Sequence, residues 1–133
     1  MKIRLKNNLV VPLFLCYGVV KAGYDLLAEE NLIGYVETDL KNTSDFFALL
    51  VTGDSMSPII FENDIVIVQK QSTIENGQVA VVIVDDEATI KKVIVHEDCI
   101  ELIAFNSYYP PRKVKDFTIV GRVVEARIKK IFE

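Results

Sequence analysis

Short runs of apolar and β-branched residues alternate with polar turns along most of this chain. The turns are marked by Asn76-Gly77, Asp85-Asp86-Glu87 and His96-Glu97-Asp98. At most one turn of helix is expected, at residues 57–61. Short strands at this spacing predict a compact, mostly antiparallel β domain with little helix. The predicted strands are FFALLV (46–51), DIVIVQK (64–70), QVAVVIV (78–84), ATIKKVIV (88–95), CIELIAF (99–105) and FTIVGRVVEARIKKIF (117–132).

The first 39 residues do not fit this succession of strands and turns. Residues 1–18 are expected to form a leading arm with an extra strand, and residues 19–39 a mobile loop. No repeat, low-complexity stretch or Gly/Ser/Pro-rich linker divides the sequence. The 133 residues are therefore expected to form one domain.

Composition and charge exclude several classes of protein. A net charge of -4 and a pI near 5.1 argue against direct binding of nucleic acid, which needs clustered Lys and Arg. Cys16 and Cys99 lie far apart without metal-ligand spacing, so we expect reduced thiols and neither a zinc site, a disulfide nor a cofactor. The apolar run near the amino terminus is too short to span a bilayer, and a cytoplasmic protein without a membrane segment is expected.

The segment VTGDSMSPI (51–59) is a candidate for nucleophilic chemistry. It runs from the end of an apolar strand into a tight Gly-Asp-Ser turn, which would expose the side chain of Ser55. Backbone amides converging at such a turn can form an oxyanion hole. The alternative is that Gly53, Asp54 and Ser55 only form a hydrogen-bonded turn, as these residue types commonly do.

A nucleophilic serine needs a base, and the sequence favours a lysine over a histidine. His96 lies in a polar turn, where a solvated role is expected, which disfavours a Ser-His-Asp triad. Lysine acts as a base only where burial lowers its pKa. In a strand at ATIKKV, Thr89 and Lys91 would share one face and Lys92 the other. The alternative is that both lysines lie on the surface.

Taken together, these motifs resemble one family. Over residues 11–128, the chain is similar to the carboxyl-terminal domains of LexA, UmuD and phage repressors of the lambda type, which predicts a LexA-type fold of twisted antiparallel sheets. The motifs occur in the family's order and at nearly its spacing. They are GDSM (53–56), END (62–64), NGQVAVV (76–82), TIK (89–91), AFNSYYPP (104–111) and FTIVGRVV (117–124).

The resemblance implies a role for each residue of a self-cleaving site. Ser55 would be the nucleophile and Lys91 its general base, with Thr89 offering its hydroxyl to the neutral amine. The amides of Asp54 and Ser55 would form the oxyanion hole. Met56 and Pro58 would be structural, the first filling the core and the second shaping the turn.

The segment VVKAGYDLLA (19–28) is similar to the family's cleavage loop, in which the molecule cuts its own chain. Ala22 and Gly23 stand at the corresponding bond. A small Ala side chain suits a narrow pocket, and Gly lets the backbone approach the serine. The resemblance also implies that docking of this loop activates Lys91 by excluding water from it, and that a RecA filament acts as co-protease.

The resemblance therefore predicts a LexA-like repressor domain that cleaves itself in the DNA damage response. Its closing strand (117–128) would form a homodimer, and DNA would be bound only through an amino-terminal helix-turn-helix domain, which no part of this chain resembles. Three alternatives remain open. They are a UmuD-like polymerase accessory subunit matured by the same cut, a non-catalytic dimerisation module, and a related signal peptidase, which the absent membrane segment disfavours.

Overall fold

The computed structural model describes residues 2–4, 10–17, 27, 31–37 and 43–127, with backbone alone for 2–4 and 10–15. Nearly all of these residues lie in strands or turns, and the helical structure in the described ranges is of the short 3-10 kind, as at Thr43–Asp45. The predicted mostly β fold with little helix is confirmed. The strands are β1 (Lys2–Arg4), β2 (Val10–Tyr17), β3 (Leu32–Glu37), β4 (Phe46–Leu50), β5 (Ile65–Lys70), β6 (Val79–Val84), β7 (Glu87–Val95), β8 (Ile100–Ile103), β9 (Arg112–Val114) and β10 (Thr118–Arg127).

These strands form one large sheet. Its order is β1-β2-β4-β5-β10-β6-β7-β8-β9, and β3 pairs with β2 beside that path. Neighbours pair antiparallel except β2 and β4, which pair in parallel at Cys16↔Ala48 and Tyr17↔Leu49. The closing strand β10 lies inside the sheet, where it pairs with β5 on one edge and β6 on the other.

The core lies on both faces of the central strands. Because side chains alternate along a strand, Val81 of β6 joins one apolar cluster, while its neighbours Ala80 and Val82 join another on the opposite face. All three are fully buried. Burial on both faces explains why this strand is a continuous apolar run with no polar alternation.

Three features differ from the strand prediction or refine it. Leu32–Glu37, placed in the predicted loop of residues 19–39, forms strand β3, and its residues alternate between half-buried and exposed. Arg112–Val114 adds the unpredicted strand β9, which carries two charged residues and is too short for a clear pattern. Residues 57–61 follow the turn that carries Ser55 and form irregular turns, in which the Ile60 amide donates to the Met56 carbonyl at 2.9 Å.

Candidate active site

The turn that carries Ser55 is fixed at both of its ends. On leaving β4, the Val51 amide donates to the Asp64 carbonyl and the Asn63 amide donates to the Val51 carbonyl, each at 2.9 Å. Gly53 then adopts a φ of +79°, a left-handed conformation that glycine accepts without strain. Met56 anchors the far end in the core with 2% of its surface exposed. The serine is thus held on a tight turn between two fixed points.

Lys91 reaches this turn from strand β7. Its Nζ lies 2.9 Å from Ser55 Oγ, 2.8 Å from Thr89 Oγ1 and 3.1 Å from the Ile90 carbonyl oxygen. Strand alternation brings the Thr89 and Lys91 side chains to one site, whereas Ile90 is buried in the core on the opposite face. The structure therefore brings together the serine, the lysine and the threonine that the sequence predicted as a site.

The surroundings of Lys91 favour its neutral form. Burial lowers the pKa of the Lys91 amine from the ordinary lysine value of 10.5, because the charged form loses water. The described contacts of the amine are two hydroxyl oxygens and a carbonyl oxygen, with no carboxylate among them to stabilise a positive charge. A neutral amine at this distance can accept the proton of the Ser55 hydroxyl, which makes the oxygen a nucleophile.

The amides of Asp54 and Ser55 are available as oxyanion donors. Within the described residues, neither N–H donates a hydrogen bond, whereas the carbonyls of the same two residues are both engaged. Asn106 holds these carbonyls: its side chain donates to the Asp54 oxygen and its backbone amide to the Ser55 oxygen, each at 3.0 Å. Asn106 lies in the motif AFNSYYPP (104–111), but the sequence alone predicted no role for it.

A second interaction, between side chains, joins the turn after β8 to the turn that carries Ser55. The Tyr109 hydroxyl donates to the Asp54 carboxylate, and this hydrogen bond raises the pKa of Tyr109 above its ordinary value. Tyr109 therefore keeps its proton, and its role as a donor, further into the alkaline range. The turn after β8 and the turn that carries Ser55 are linked by side chains as well as by backbone.

Two clefts border the serine and the lysine, and Thr89 lines both of them. The cleft beside Ser55 is bordered by Leu50, Val51, Thr52, Gly53, Ala88 and Ile90. The cleft beside Lys91 is bordered by Val84, Glu87, Leu102, Ala104, Tyr109 and Arg112. A chain segment that approaches Ser55 and Lys91 would lie along these clefts.

The remaining sequence candidates lie elsewhere. The His96 side chain is 3.0 Å from Glu101 at the β7–β8 turn, and its described hydrogen bonds do not include Ser55, so no serine-histidine pair forms there. Ala22 and Gly23, the predicted cleavage site, lie outside the described residues. Among the side chains that are described, no group of three potential metal ligands comes together. The described part of the chain also contains no helix long and apolar enough to cross a membrane.

The site places a serine hydroxyl beside a desolvated lysine amine on a β sheet, an arrangement that can support nucleophilic chemistry. The comparison of the chain with protein families indicates a peptidase. Residues 15–124 match the Peptidase S24-like family. The chain belongs to that family, and its resemblance to LexA-like proteins is confirmed.

Several curated relatives are LexA repressors. The protein from Caldicellulosiruptor saccharolyticus is 42% identical over 122 residues, which cover 90% of this chain and 59% of the relative. The one from Moorella thermoacetica is 40% identical over 124 residues, covering 91% and 59%. The one from Magnetococcus marinus is 43% identical over 115 residues, covering 83% and 50%. The chain thus spans between half and three fifths of the length of these relatives.

Proposed function

We propose that this chain is the self-cleaving domain of a LexA-like repressor, and that it cuts its own Ala22-Gly23 bond with Ser55 as nucleophile and Lys91 as base. The observation that carries the proposal is the 2.9 Å contact between Lys91 Nζ and Ser55 Oγ, together with the burial that lowers the pKa of this lysine. Membership of a peptidase family and relatives that are LexA repressors support it.

The chemistry follows from the positions of these groups. Neutral Lys91 takes the proton of Ser55 as the oxygen attacks the Ala22 carbonyl carbon. The negative oxygen that forms is held by the amides of Asp54 and Ser55. When the tetrahedral intermediate collapses, Lys91 gives its proton to the nitrogen of Gly23, which leaves as an amine. Water, activated by the same lysine, then hydrolyses the ester on Ser55 and releases the carboxylate of Ala22.

Docking of the segment that contains Ala22 is proposed to switch this reaction on. Nucleophile and bond share one chain, so the reaction gains effective concentration without any intermolecular binding. A docked segment would fill the two clefts that Thr89 lines and remove further water from Lys91, which would lower the pKa of its amine further. A RecA filament is proposed as the partner that favours the docked state, which would tie cleavage to DNA damage.

The closing strand β10 is proposed to carry the dimer contact. It pairs with β6 only as far as Arg122, whereas it continues against β5 to Arg127. Val124, near this end, is 39% exposed. A second copy packed here would cover that apolar side chain, and the dimer would present two DNA-binding domains, supplied by the remainder of a full-length repressor, to a symmetric site.

Alkaline incubation followed by intact-mass measurement tests the proposed function. At about pH 10, where a lysine of lowered pKa has a larger neutral fraction than an ordinary lysine, we expect two fragments, one ending at Ala22 and one beginning at Gly23. Ser55→Ala is the matched control and should stay whole, because it lacks only the hydroxyl. Cleavage at another bond, or equal cleavage in the Ser55→Ala chain, would contradict the proposal.

The conformation of Gly53 is expected to matter for cleavage beyond its effect on stability. Alanine at a φ of +79° costs about 1–2 kcal/mol and turns the peptide that carries the Asp54 amide. We expect Gly53→Ala to slow cleavage about tenfold. Gly77→Ala is a matched control, since Gly77 has a φ of +86° in a turn that does not carry the nucleophile.

Urea unfolding and the rate of fragment formation separate the two effects. Both variants should lose a similar free energy of unfolding, and only Gly53→Ala should cleave slowly. Equal cleavage rates in the two variants would show that the Gly53 conformation contributes to folding alone.

A further inference from the structure

Asn106 lies against the turn that carries Ser55 but has no part in the proposed proton transfers. It belongs to the turn after β8, and it is half-buried. Its side-chain Nδ2 donates to the Asp54 carbonyl and its backbone N–H to the Ser55 carbonyl, each at 3.0 Å. One residue from a distant segment therefore engages the carbonyls of both residues whose amides face the proposed oxyanion.

The effect on the oxyanion hole follows from the geometry of the peptide bond. The Asp54 carbonyl and the Ser55 N–H belong to one planar trans peptide, so they point in opposite directions. A hydrogen bond that holds the carbonyl on one side aims the N–H at the other side. Because the described hydrogen bonds of Asn106 do not involve the Asp54 or Ser55 N–H, they can fix the donor without occupying it.

The Asp54 carbonyl has further donors, which act in the same direction. The Ser57 hydroxyl lies 2.9 Å from this oxygen and the Ser57 amide 3.2 Å from it. Ser57 is only three residues away and belongs to the same turn, so its hydrogen bonds move with the turn. Asn106 comes from the turn after β8, so its hydrogen bond holds the peptide between Asp54 and Ser55 against a different part of the domain.

Asn106 is itself held in the orientation that this role requires. Its Oδ1 accepts the Tyr108 amide at 3.0 Å, and its carbonyl accepts the Tyr109 amide at 3.1 Å. With the side-chain oxygen bound to a donor, the NH₂ group is left to face the Asp54 carbonyl. The Tyr109 hydroxyl, which donates to the Asp54 carboxylate, joins the same two turns at a second point.

We propose that Asn106 is a positioning residue for self-cleavage, which orients the Ser55 N–H toward the oxyanion before the reaction begins. A donor fixed in advance costs no reorganisation in the transition state, which is where an oxyanion hole gains its effect. The inference rests on the proposed function, since it concerns the same serine. It adds a residue 52 positions from Asp54 that acts through the backbone and not on the substrate.

Asn106→Asp tests the proposal with a side chain of nearly the same shape. The carboxylate can still accept the Tyr108 amide, so the turn after β8 keeps its internal hydrogen bond, but the donor to the Asp54 carbonyl is gone. We expect the limiting rate of cleavage at alkaline pH to fall about tenfold or more, as for a lost transition-state hydrogen bond. The limiting rate of the Asn106→Ala variant should fall by a similar factor, and this variant adds no charge. Ser107→Ala, an exposed neighbour in the same turn, should cleave at the unchanged rate.

The pH dependence of the rate distinguishes positioning from other effects. Loss of a positioned donor lowers the limiting rate and leaves the midpoint of the Asn106→Ala profile unchanged, because Lys91 is untouched. A variant that reaches the unchanged limiting rate, or that shifts only the midpoint, overturns the proposal. Loss of folding in both Asn106 variants would also overturn the proposal, because the role of Asn106 would then be structural. Circular dichroism and urea unfolding measure this. If the unmodified chain is not cleaved, the proposed function fails with it; if that chain is cleaved and Asn106→Asp matches it, only this inference fails.

Discussion

Replacing Lys91 with methionine is expected to slow self-cleavage by roughly 10⁴-fold or more, as for loss of the base in other serine peptidases. Methionine keeps an unbranched side chain of similar length but has no amine. Ser55 Oγ would lose the group that lies 2.9 Å away and that we propose accepts its proton. The measurement is the rate of fragment formation at alkaline pH, followed by intact mass.

Lys92→Met is the matched control for this variant. Strand alternation directs the Lys92 side chain away from the face that Thr89 and Lys91 share, so its removal should leave the cleavage rate within about twofold. Equal loss of cleavage in both variants would point to a general effect of the lost charge or of a disturbed β7. Full activity in Lys91→Met would remove Lys91 from the mechanism.

The second large effect is expected from pH. Below the pKa of Lys91, its neutral fraction rises about tenfold with each pH unit, and the cleavage rate should rise in parallel. Above that pKa the rate should level off. Because burial lowers the pKa of Lys91, levelling should begin below pH 10.5. A rate that does not change with pH, or that is still rising tenfold per unit above pH 10.5, would contradict a buried lysine base.

The lowered pKa of Lys91 also makes the free energy of unfolding depend on pH. In the unfolded chain Lys91 keeps its proton up to the ordinary value of 10.5, whereas the folded protein releases it earlier. Between the two pKa values the unfolded state binds more protons, so this group's contribution to the free energy of unfolding rises with pH through that window. Below both values, the folded protein must bury a charged amine. Lys91→Met should therefore be no less stable than the unchanged chain near neutral pH.

Much of the fold could be predicted because most strands have simple patterns. Val79–Val84 is buried on both faces and is a continuous apolar run, which identifies a central strand. Leu32–Glu37 was missed as a strand because Gly34 interrupts its pattern and the segment lies beside the expected cleavage loop. Arg112–Val114 has two charged residues among three, and it becomes a strand only because β8 offers an edge to pair with.

The candidate site could be predicted only in part. Strand alternation separates Lys91 from Lys92, but it does not say which of the two faces Ser55, which is 36 positions away. The resemblance to LexA-like proteins supplied that choice. The role of Asn106 could not be predicted in this way, because its partners are backbone carbonyls. Every residue has a backbone carbonyl, so residue types do not identify such a contact. Such contacts depend on how two turns from distant segments meet.

Titration of Lys91 by carbon-13 NMR tests the central claim most directly. The experiment uses the Ser55→Ala chain, which should stay intact at high pH, and follows the Lys91 Cε resonance, assigned by its loss in a chain that also carries Lys91→Met. The desolvated amine of Lys91, which lies in the middle of strand β7, is predicted to change its charge with a midpoint below 10.5, the value of an ordinary lysine. A midpoint at or above 10.5 would contradict the proposal that this residue serves as the base.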